Sequence, residues 1–347
     1  MEIKGKIKMF NPERGFGFIS CQEGGKEKDI FFHISGMLTK EQQPAEGLEV
    51  LFIPGEGNRG SEAKKIKICN PTYYLPADTS KFLDPFTVDN ISLFLNKTAY
   101  FDGKKFIHRL DRGTKEVSLK PERYCSVPFS RLLTRREAAL KELGLYCESR
   151  EMTVDWRLVI GLGGAAVYET DITLHHVYGI PYLPGSAVKG VTRSRVVAEL
   201  FGNEVGDKQR GALADPGFCL VFGSPEKSVA GARRGVVRFF DAFPVTAPTL
   251  CLDVMNPHYG PYYTGEQPPA DYHNPVPIPF LTVEKTSFMI WVGVEEKENT
   301  AVAGGVFDGK TPLAVAVEWM EQAMREQGIG AKTSVGYGYI VQNQSCS

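Results

Sequence analysis

The chain has 347 residues, of which 42% are hydrophobic and 23% charged, and its formal net charge is −1. This length and composition predict two unequal folded domains and exclude a mainly disordered chain. Because the net charge is close to zero, any nucleic-acid-binding surface must come from local clusters of Lys and Arg.

Cysteine usage and hydropathy bear on the cellular compartment. The 7 cysteines are scattered and never form a CxxC spacing, which argues against a disulfide framework and against a zinc site. The sequence has no apolar signal region at its N-terminus and no apolar run of about 18 residues. It therefore predicts a cytoplasmic protein with reduced thiols and without a metal or other cofactor.

Residues 1–70 predict a small β-barrel. Runs that favour strands alternate with polar turns every 8–12 residues or so, which is typical of a five-stranded OB-like barrel. The runs are Ile3–Asn11, Gly15–Cys21, Asp29–Ile34, Glu49–Pro54 and Ala63–Ile68. Residues 71–86 are predicted to be a linker, and residues 87–347 a larger second domain.

The larger domain has the α+β pattern of a ferredoxin-like fold. Residues 87–155 show one clear element, a helix at Ser130–Leu143. The further predictions are a strand at Trp156–Leu162, a helix opened by Ser186, strands near Gly235–Phe240, Thr249–Met255 and Leu281–Val294, a helix at Pro312–Gln327 and a final strand. The polar, glycine-rich stretch Gly202–Arg234 is expected to be an insertion or a mobile loop.

The helix at Pro312–Gln327 has the clearest boundaries. Thr311 can act as its N-cap, Pro312 occupies the first helical position and Gly328 follows its end. Its apolar face is predicted to consist of Leu313, Ala316, Val317, Met320, Ala323 and Met324.

Two aromatic pairs near the N-terminus predict a surface for unpaired bases. Phe16 and Phe18 in RGFGFI are two residues apart on a strand, as are Phe31 and His33 in IFFHIS, so each pair emerges on one face. Gly15 and Gly17 are expected to keep the space between the rings clear. Bases that stack on such a platform gain about 1–3 kcal/mol each. Three cations that can pair with phosphates flank the platform: Lys6, Lys8 and Arg14.

A single pair of this kind would more often belong to a core, because phenylalanine is usually buried. Two pairs with flanking cations favour binding instead. The segments KGKIKMFN, RGFGFI and DIFFHIS, in this order and spacing, resemble the cold-shock domain family, and EGLEVLF and EAKKIKI suit its last strands. The resemblance implies that five positions contact single-stranded RNA or DNA: Lys8, Phe16, Phe18, Phe31 and His33.

Two positions depart from the cold-shock pattern. Met9 stands where an exposed Trp is usual, and Ile34 stands where another aromatic residue is common. Because fewer rings are available for stacking, the domain is expected to bind single strands modestly and without a sharp sequence preference.

Two glycine-rich segments carry the candidate binding residues of the larger domain. The first, YLPGSAVKGVTRSR, predicts a helix with Ser186 as its N-cap and with Lys189 and Arg193 on the same face. A helix N-terminus with free amides and two cations is suited to an anion. The alternative is a basic helix face in water, the usual position of charged side chains.

The second segment, GIGAKTSVGYGYI, predicts a loop between a helix and a strand. Its glycines allow backbone amides to lie along an extended polyanion, unless it is an ordinary glycine-rich turn. The residues expected to bind are Gly330, Lys332, Thr333, Ser334 and Tyr337. An NTPase is not expected, because a P-loop runs from strand to helix and has a glycine directly before its lysine.

Five segments of the larger domain resemble the RAMP superfamily, the repeat-associated RNA-binding proteins of CRISPR systems, and within it the sixth-subunit family of the Cmr module, the type III-B effector. In chain order these are YLPGSAVKGVTRS, VVRFFDAFP, LDVMNPHYGPYY, PIPFLTVEKTSFMIWV and GIGAKTSVGYG. The resemblance implies a ferredoxin-like fold and a non-catalytic structural subunit at the end of the effector filament. Such a subunit binds the CRISPR guide RNA toward its 3′ side, contributes to target RNA binding and antiviral defence, and contacts backbone RAMP and small helical subunits.

Two alternatives stay open: a RAMP endonuclease, and a cold-shock RNA chaperone with an appended domain. The candidates for acid–base chemistry are Asp241, Asp253, His175, His176, His258 and His273. His175 and His176 lie between a strand and the basic helix, where some RAMP endonucleases place a general base. His258, with the nearby Tyr259, Tyr262 and Tyr263, predicts an aromatic patch that faces RNA or another subunit, or else packs in the core.

Overall fold

The computed structural model describes residues 2–23, 26–38, 44, 46–57, 60–68, 79, 88–101, 106–107, 118–119, 121–256, 265, 268 and 276–342. The chain divides into two compact units, one of Met1–Thr87 with Phe94–Val117 and one of Val88–Leu93 with Ser118–Ser347. The domain limits at residues 70 and 87 stay a prediction, because only Thr79 of the predicted linker is described. Within the described ranges, no helix is long and apolar enough to cross a membrane.

The first unit contains the closed five-stranded barrel that the sequence predicts. Its strands are β1 (Ile3–Asn11), β2 (Phe16–Glu23), β3 (Lys26–His33), β4 (Glu49–Gly57) and β5 (Gly60–Ile68). They are joined in the order β1-β2-β3-β5-β4. Neighbours are antiparallel except β3 and β5, whose parallel pairing at Phe31 and Glu62 closes the barrel. Alternate side chains point inward and form a core around Phe32 and Phe52, which are fully buried.

Gly17 serves this core and not the space between the exposed rings. A Cβ atom at this position would collide with the Met9 carbonyl oxygen and with the Phe32 ring. The prediction that both glycines clear the outer face was therefore wrong for Gly17. Its missing side chain lets β1 and the buried Phe32 approach β2 closely.

The remaining elements lie in the following order. They are α1 (Ile91–Lys97), β6 (Tyr100–Phe101), β7 (Phe106–Ile107), β8 (Ser118–Leu119), α2 (Phe129–Glu142), β9 (Leu145–Val154), β10 (Arg157–Leu158), α3 (Gly185–Phe201), α4 (Pro216–Phe222), β11 (Gly223–Ser224), β12 (Arg233–Arg234), β13 (Arg238–Phe239), β14 (Phe243–Pro244), β15 (Thr249–Met255), β16 (Ile278–Glu284), β17 (Ser287–Glu295), α5 (Pro312–Glu326) and β18 (Ile340–Gln342).

The central sheet of the second unit has the ferredoxin-like topology. Its order is β13-β17-β9-β18, with all neighbours antiparallel. In chain order, the strands of the strand–helix–strand–strand–helix–strand succession are β9, β13, β17 and β18. Across the sheet they therefore lie in the order second, third, first and fourth. α5 packs against β9, β17 and β18, and α2 lies on the opposite face, because Ser149 adjoins α2 whereas its neighbours Glu148 and Arg150 adjoin α5. The α+β prediction is confirmed.

A second antiparallel sheet, in the order β10-β16-β15-β8, continues from the first. β10 follows β9 after two residues, and β16 leads into β17. The turn between β16 and β17 was missed: the sequence predicted one strand over Leu281–Val294. The turn contains no glycine, proline, asparagine or aspartate, and Lys285 itself takes the left-handed conformation with φ 48°.

Two other strands are present but shorter than predicted. The predicted strand Trp156–Leu162 pairs only at Arg157–Leu158, and that over Gly235–Phe240 pairs only at Arg238–Phe239. The first strand of the central sheet is instead β9. Its pattern is obscured because Glu148 and Arg150 occupy positions that face α5, where Arg150 Nε donates to Glu321 at 2.5 Å.

The stretch Gly202–Arg234 is a folded insertion between α3 and β13, so of the two predicted alternatives, an insertion or a mobile loop, the mobile loop was wrong. It contains α4, whose Phe218, Val221 and Phe222 are buried. Asp215 caps this helix by accepting a hydrogen bond from the Phe218 amide at 2.7 Å. The helix was not predicted, because its apolar run is short and many polar and glycine residues surround it.

The start of α3 also differs from the prediction. Ser186 is exposed and is not an N-cap; the helix begins at Gly185, whose amide donates to Asp241 Oδ1 at 2.8 Å. Asp241 lies where the second strand of the sheet is interrupted between β13 and β14. By contrast, Thr311 caps α5 as predicted, accepting from the Ala314 amide at 3.4 Å.

Replacing Asp241 by Ala should lower the free energy of unfolding by about 1 kcal/mol, because the Gly185 amide loses its acceptor. Chemical unfolding followed by circular dichroism measures the change. Asp241→Asn keeps an oxygen acceptor and should lose less. Equal losses in the two variants would show that this hydrogen bond does not stabilise the helix start.

Candidate nucleic-acid-binding sites

The structure brings the four predicted platform residues of the barrel together. Phe16 pairs with His33 and Phe18 with Phe31 across β2 and β3. The Phe16 and Phe31 rings are stacked with centroids 5.9 Å apart, and Phe18 meets Phe31 edge-on at 5.9 Å. Phe31 is 37% exposed, although phenylalanine is usually buried. The result is an aromatic surface on which Phe31 is exposed and Phe16, Phe18 and His33 are half-buried.

The predicted cations of the barrel are all exposed, and one of them is already paired. Lys8 Nζ lies 2.7 Å from Asp29 Oδ2, and this hydrogen bond raises the pKa of Lys8. Arg14 lies in the turn before β2, where its amide donates to Asn11 Oδ1 at 3.1 Å. Lys6 lies opposite Ser20 on the same face as the rings. A phosphate at Lys8 would therefore compete with Asp29.

Met9 extends the aromatic surface on its β1 side. It lies opposite Phe18 and is 42% exposed. The side chain that stands in place of the usual Trp thus has the right position for a base but lacks a ring. Ile34 instead packs against the barrel core.

In the second unit, the glycine-rich loop is fastened to β10 by its backbone. The Ala331 amide donates to the Val159 carbonyl at 2.8 Å, and the Gly338 amide donates to the Arg157 carbonyl at 2.7 Å. Gly330 has φ 95°, and a Cβ there would collide with the Val159 carbonyl. This close approach requires glycine.

Between these two attachments, the loop presents free donors. Lys332 takes the left-handed conformation with φ 61° and begins a short 3-10 turn at Thr333–Val335. The structure shows no hydrogen bond from the amides of Lys332, Thr333 and Ser334 to any described residue. Ser334 is exposed and Thr333 is half-exposed. These donors are suited to an anion, as the sequence predicts.

Tyr337, also predicted to bind, anchors the loop from inside. Its side chain is buried, and its hydroxyl donates to Asp253 Oδ2 at 2.8 Å. Burial and the neighbouring Asp253 raise the pKa of Tyr337 to about 12. Arg157 Nη1 completes the cluster at 2.5 Å from Asp253. The structure therefore gives Tyr337 a packing contact with the second sheet.

Trp156 is the residue here that sequence reasoning missed. Its ring lies 4.9 Å from that of Tyr337 and is 50% exposed. The Arg157 guanidinium lies 5.5 Å above the same ring. The sequence carried no local signal for it, because the exposure of Trp156 and its contact with Tyr337 depend on tertiary structure.

The cations of α3 lie apart from the loop. Lys189 and Arg193 are half-buried, and the Arg193 guanidinium lies 5.2 Å above the Phe218 ring of α4. Gln327 Nε2, one residue before the loop, donates to Ser194 Oγ at 3.2 Å. Among the described residues, no hydrogen bond or ion pair joins Lys189 or Arg193 to Lys332, Thr333 or Ser334.

The candidate acid–base residues have structural partners. His175 Nδ1 accepts from the amides of Val177 and Tyr178 at 3.3 and 3.4 Å, and burial lowers the pKa of this imidazole. Nδ1 is thus occupied in a turn and favours the neutral ring. Asp241 and Asp253 hold Gly185 and Tyr337 respectively, whereas His176 is exposed.

Some of the predicted residues lie outside the described residues: His258, Tyr259, Tyr262, Tyr263 and His273. Within the described ranges, no group of three or more His, Cys, Asp or Glu side chains is placed to hold a metal ion.

Each of the two units contains a segment that matches a known protein family. Residues 3–69 match the model described as 'Cold-shock' DNA-binding domain, and residues 153–341 match that of the RAMP superfamily. The second match covers more than half of the chain. The protein therefore belongs to the RAMP superfamily and carries an N-terminal cold-shock domain.

Individual proteins within these families are also similar to the chain. The chain is 39% identical over 237 residues to the CRISPR system Cmr subunit Cmr6 of Pyrococcus furiosus, covering 54% of this chain and 65% of that subunit, just under two thirds of its length. It is 45% identical over 67 residues to the cold shock-like protein CspE of Bacillus anthracis, covering 19% of this chain and 96% of that protein. A chain in the structure of the type III-B Cmr-beta complex bound to cognate target RNA has 22% identity and a TM-score of 0.47, with 63% of this chain and 66% of that chain covered.

The Asp253 cluster should make stability depend on pH. Burial alone would raise the pKa of Asp253, but hydrogen bonds from Tyr337, the Val254 amide and Arg157 hold it below its usual value. The stabilisation is therefore present above the unfolded pKa of about 3.9 and is lost as pH falls through the lower folded value. Urea unfolding should give the wild type a higher free energy of unfolding than Asp253→Asn at pH 7. This gap between the two proteins should shrink below about pH 4. A gap of constant size down to pH 3 would contradict this.

Proposed function

We propose that the protein is a non-catalytic, RNA-binding structural subunit of a type III-B CRISPR (Cmr) effector complex. In this role it binds the guide RNA toward its 3′ side and contributes to target RNA binding and antiviral defence. It works in the cytoplasm beside backbone RAMP and small helical subunits.

The observation that carries the proposal is the 39% identity to Cmr6 of Pyrococcus furiosus over 237 residues. The RAMP match over residues 153–341 includes α3 and the glycine-rich loop. Half-buried cations on the helix and free amides on the loop supply donors for phosphates without selecting a base. This is the chemistry that a subunit needs when it holds guides of many sequences.

The cold-shock domain supports RNA binding by a second route. Its exposed rings offer stacking, which every base can use. We propose that it is an accessory arm that holds target or flanking RNA, while the RAMP unit supplies the contacts of assembly.

Several contacts favour a non-catalytic role over an endonuclease. A general base needs a free nitrogen or oxygen within reach of the substrate. His175 Nδ1 already accepts two backbone hydrogen bonds, and Asp241 holds the start of α3. Their positions are explained by folding alone.

Purification of the tagged full-length protein from its native host tests the proposal. We expect the other Cmr subunits and a uniform population of CRISPR-derived RNAs to co-purify. Diverse cellular RNAs without Cmr subunits would favour a chaperone instead. Cleavage of guide precursors by the purified protein alone, abolished in His176→Ala, would contradict the non-catalytic part.

Replacing Phe16 and Phe31 together by Ala in the full-length chain should weaken binding to unstructured RNA. Loss of about 1–3 kcal/mol of stacking corresponds to about a 5- to 150-fold increase in Kd. Fluorescence anisotropy with a labelled single strand measures it.

The matched control for this pair is Leu38→Ala. Leu38 is a 60% exposed apolar residue of the same domain that lies outside the aromatic surface. It should leave the affinity unchanged. Unchanged affinity in the correctly folded double variant would refute a role for the aromatic surface.

A further inference from the structure

Three cations of the second unit meet beside α4. Lys189 and Arg193 are one helical turn apart on α3, so their side chains lie on one face. Arg193 is fixed above Phe218 of α4, at 5.2 Å from the ring centroid. α4 ends at Phe222, and the next residue, Gly223 of β11, pairs directly with Arg234 of β12. The fold therefore brings the third cation to this cluster from a distant part of the chain.

The cluster has no counter-charge of its own. In the part of the chain that the structure describes, none of the three cations forms an ion pair. Glu295 is close enough to Arg234 to sense its charge, but its oxygens bind Lys297 at 3.0 Å and Arg238 at 2.6 Å. Glu295 is thus already occupied by two other cations.

Mutual repulsion at these positions is visible on Lys189. Burial, followed by Arg193 and Arg234, lowers the pKa of its ammonium group. An apolar side chain of similar length would avoid both the burial of charge and the repulsion. Clustered cations that repel one another favour the binding of an anion, and a local cost in stability of this kind is typical of a functional site.

We propose that Lys189, Arg193 and Arg234 form a site for a phosphate group, supplied by the backbone of the bound RNA. The assignment to RNA rests on the proposed function; the phosphate site itself does not. Guanidinium groups can bind two phosphate oxygens at once, and an ammonium group adds a point charge. Arg234 is a further residue of this site, and neither the helical periodicity nor the glycine-rich segments of the sequence indicate it.

The first test compares thermal unfolding of the full-length wild type, Lys189→Met and Arg234→Gln. In chloride buffer at low ionic strength, Lys189→Met should have a Tm equal to or above that of the wild type, because a repulsive buried charge is removed. Inorganic phosphate at matched ionic strength should raise the Tm of the wild type more than that of either variant.

The matched control is Lys141→Met. Lys141 is also a helical lysine of the second unit, but it is exposed and pairs with Glu137 at 2.8 Å. Its response to phosphate should equal that of the wild type, which separates site binding from the general stabilising effect of phosphate. A Tm of Lys189→Met that falls in chloride and keeps the full phosphate response would overturn the site.

The second test identifies the source of the phosphate. The affinity for a single-stranded RNA is measured against salt concentration, and each variant should lower the slope of log K against log salt by about 0.7. Unchanged slopes in both variants would overturn the assignment to the RNA backbone. If the wild type bound no RNA at all, the proposed function would fail, whereas the phosphate response would still decide the site.

Discussion

The antiparallel pairing of β9 with β17 is the constraint on which the rest of the RAMP unit depends. It runs without a break from Thr153 opposite Ser287 to Leu145 opposite Glu295. Since β17 is buried along most of its length, both faces of the sheet must be covered, and α5 and α2 cover them. Beyond Val154 the chain enters the second sheet at once, and β18 returns to pair with Val154. The glycine-rich loop, which ends just before β18, is therefore placed by the end of this ladder.

Under the proposed function, the two units offer RNA different physical interactions. On the barrel, Lys8 is paired with Asp29, and the aromatic surface offers stacking. Stacking of this kind depends little on salt. On the RAMP unit, by contrast, the half-buried cations beside α4 lack partners and the loop offers bare amides. Attraction by charge is strong in dilute salt and is screened in concentrated salt. One chain thus combines a contact that tolerates salt with one that responds to it.

The sequence predicted those elements whose local pattern agrees with their burial. The barrel strands alternate cleanly, and α5 has a cap, a first-turn proline and one apolar face. β9 could not be predicted because polar residues face a helix and are satisfied by ion pairs with it. The hairpin at Lys285 was missed because tertiary pairing imposes a turn that its residues do not favour.

The residues of the candidate sites divide in the same way, into those that a local pattern predicts and those that depend on tertiary structure. The platform rings follow from a period of two along adjacent strands, whereas Trp156 and Arg234 become candidates only when distant segments are brought together. The inward direction of Tyr337 likewise depends on the second sheet, which supplies Asp253.

The interruption of the second strand at residues 240–242 has a mechanical consequence. Leu183 and Ala242 exchange backbone hydrogen bonds of 3.0 and 2.9 Å, and two residues later the first amide of α3 is held by Asp241. A ligand that pulls on Lys189 therefore pulls on a helix anchored at its base to the central sheet. These hydrogen bonds join the start of the helix to the second strand of the sheet. A force that a bound nucleic-acid strand exerts on α3 would therefore also act on the central sheet.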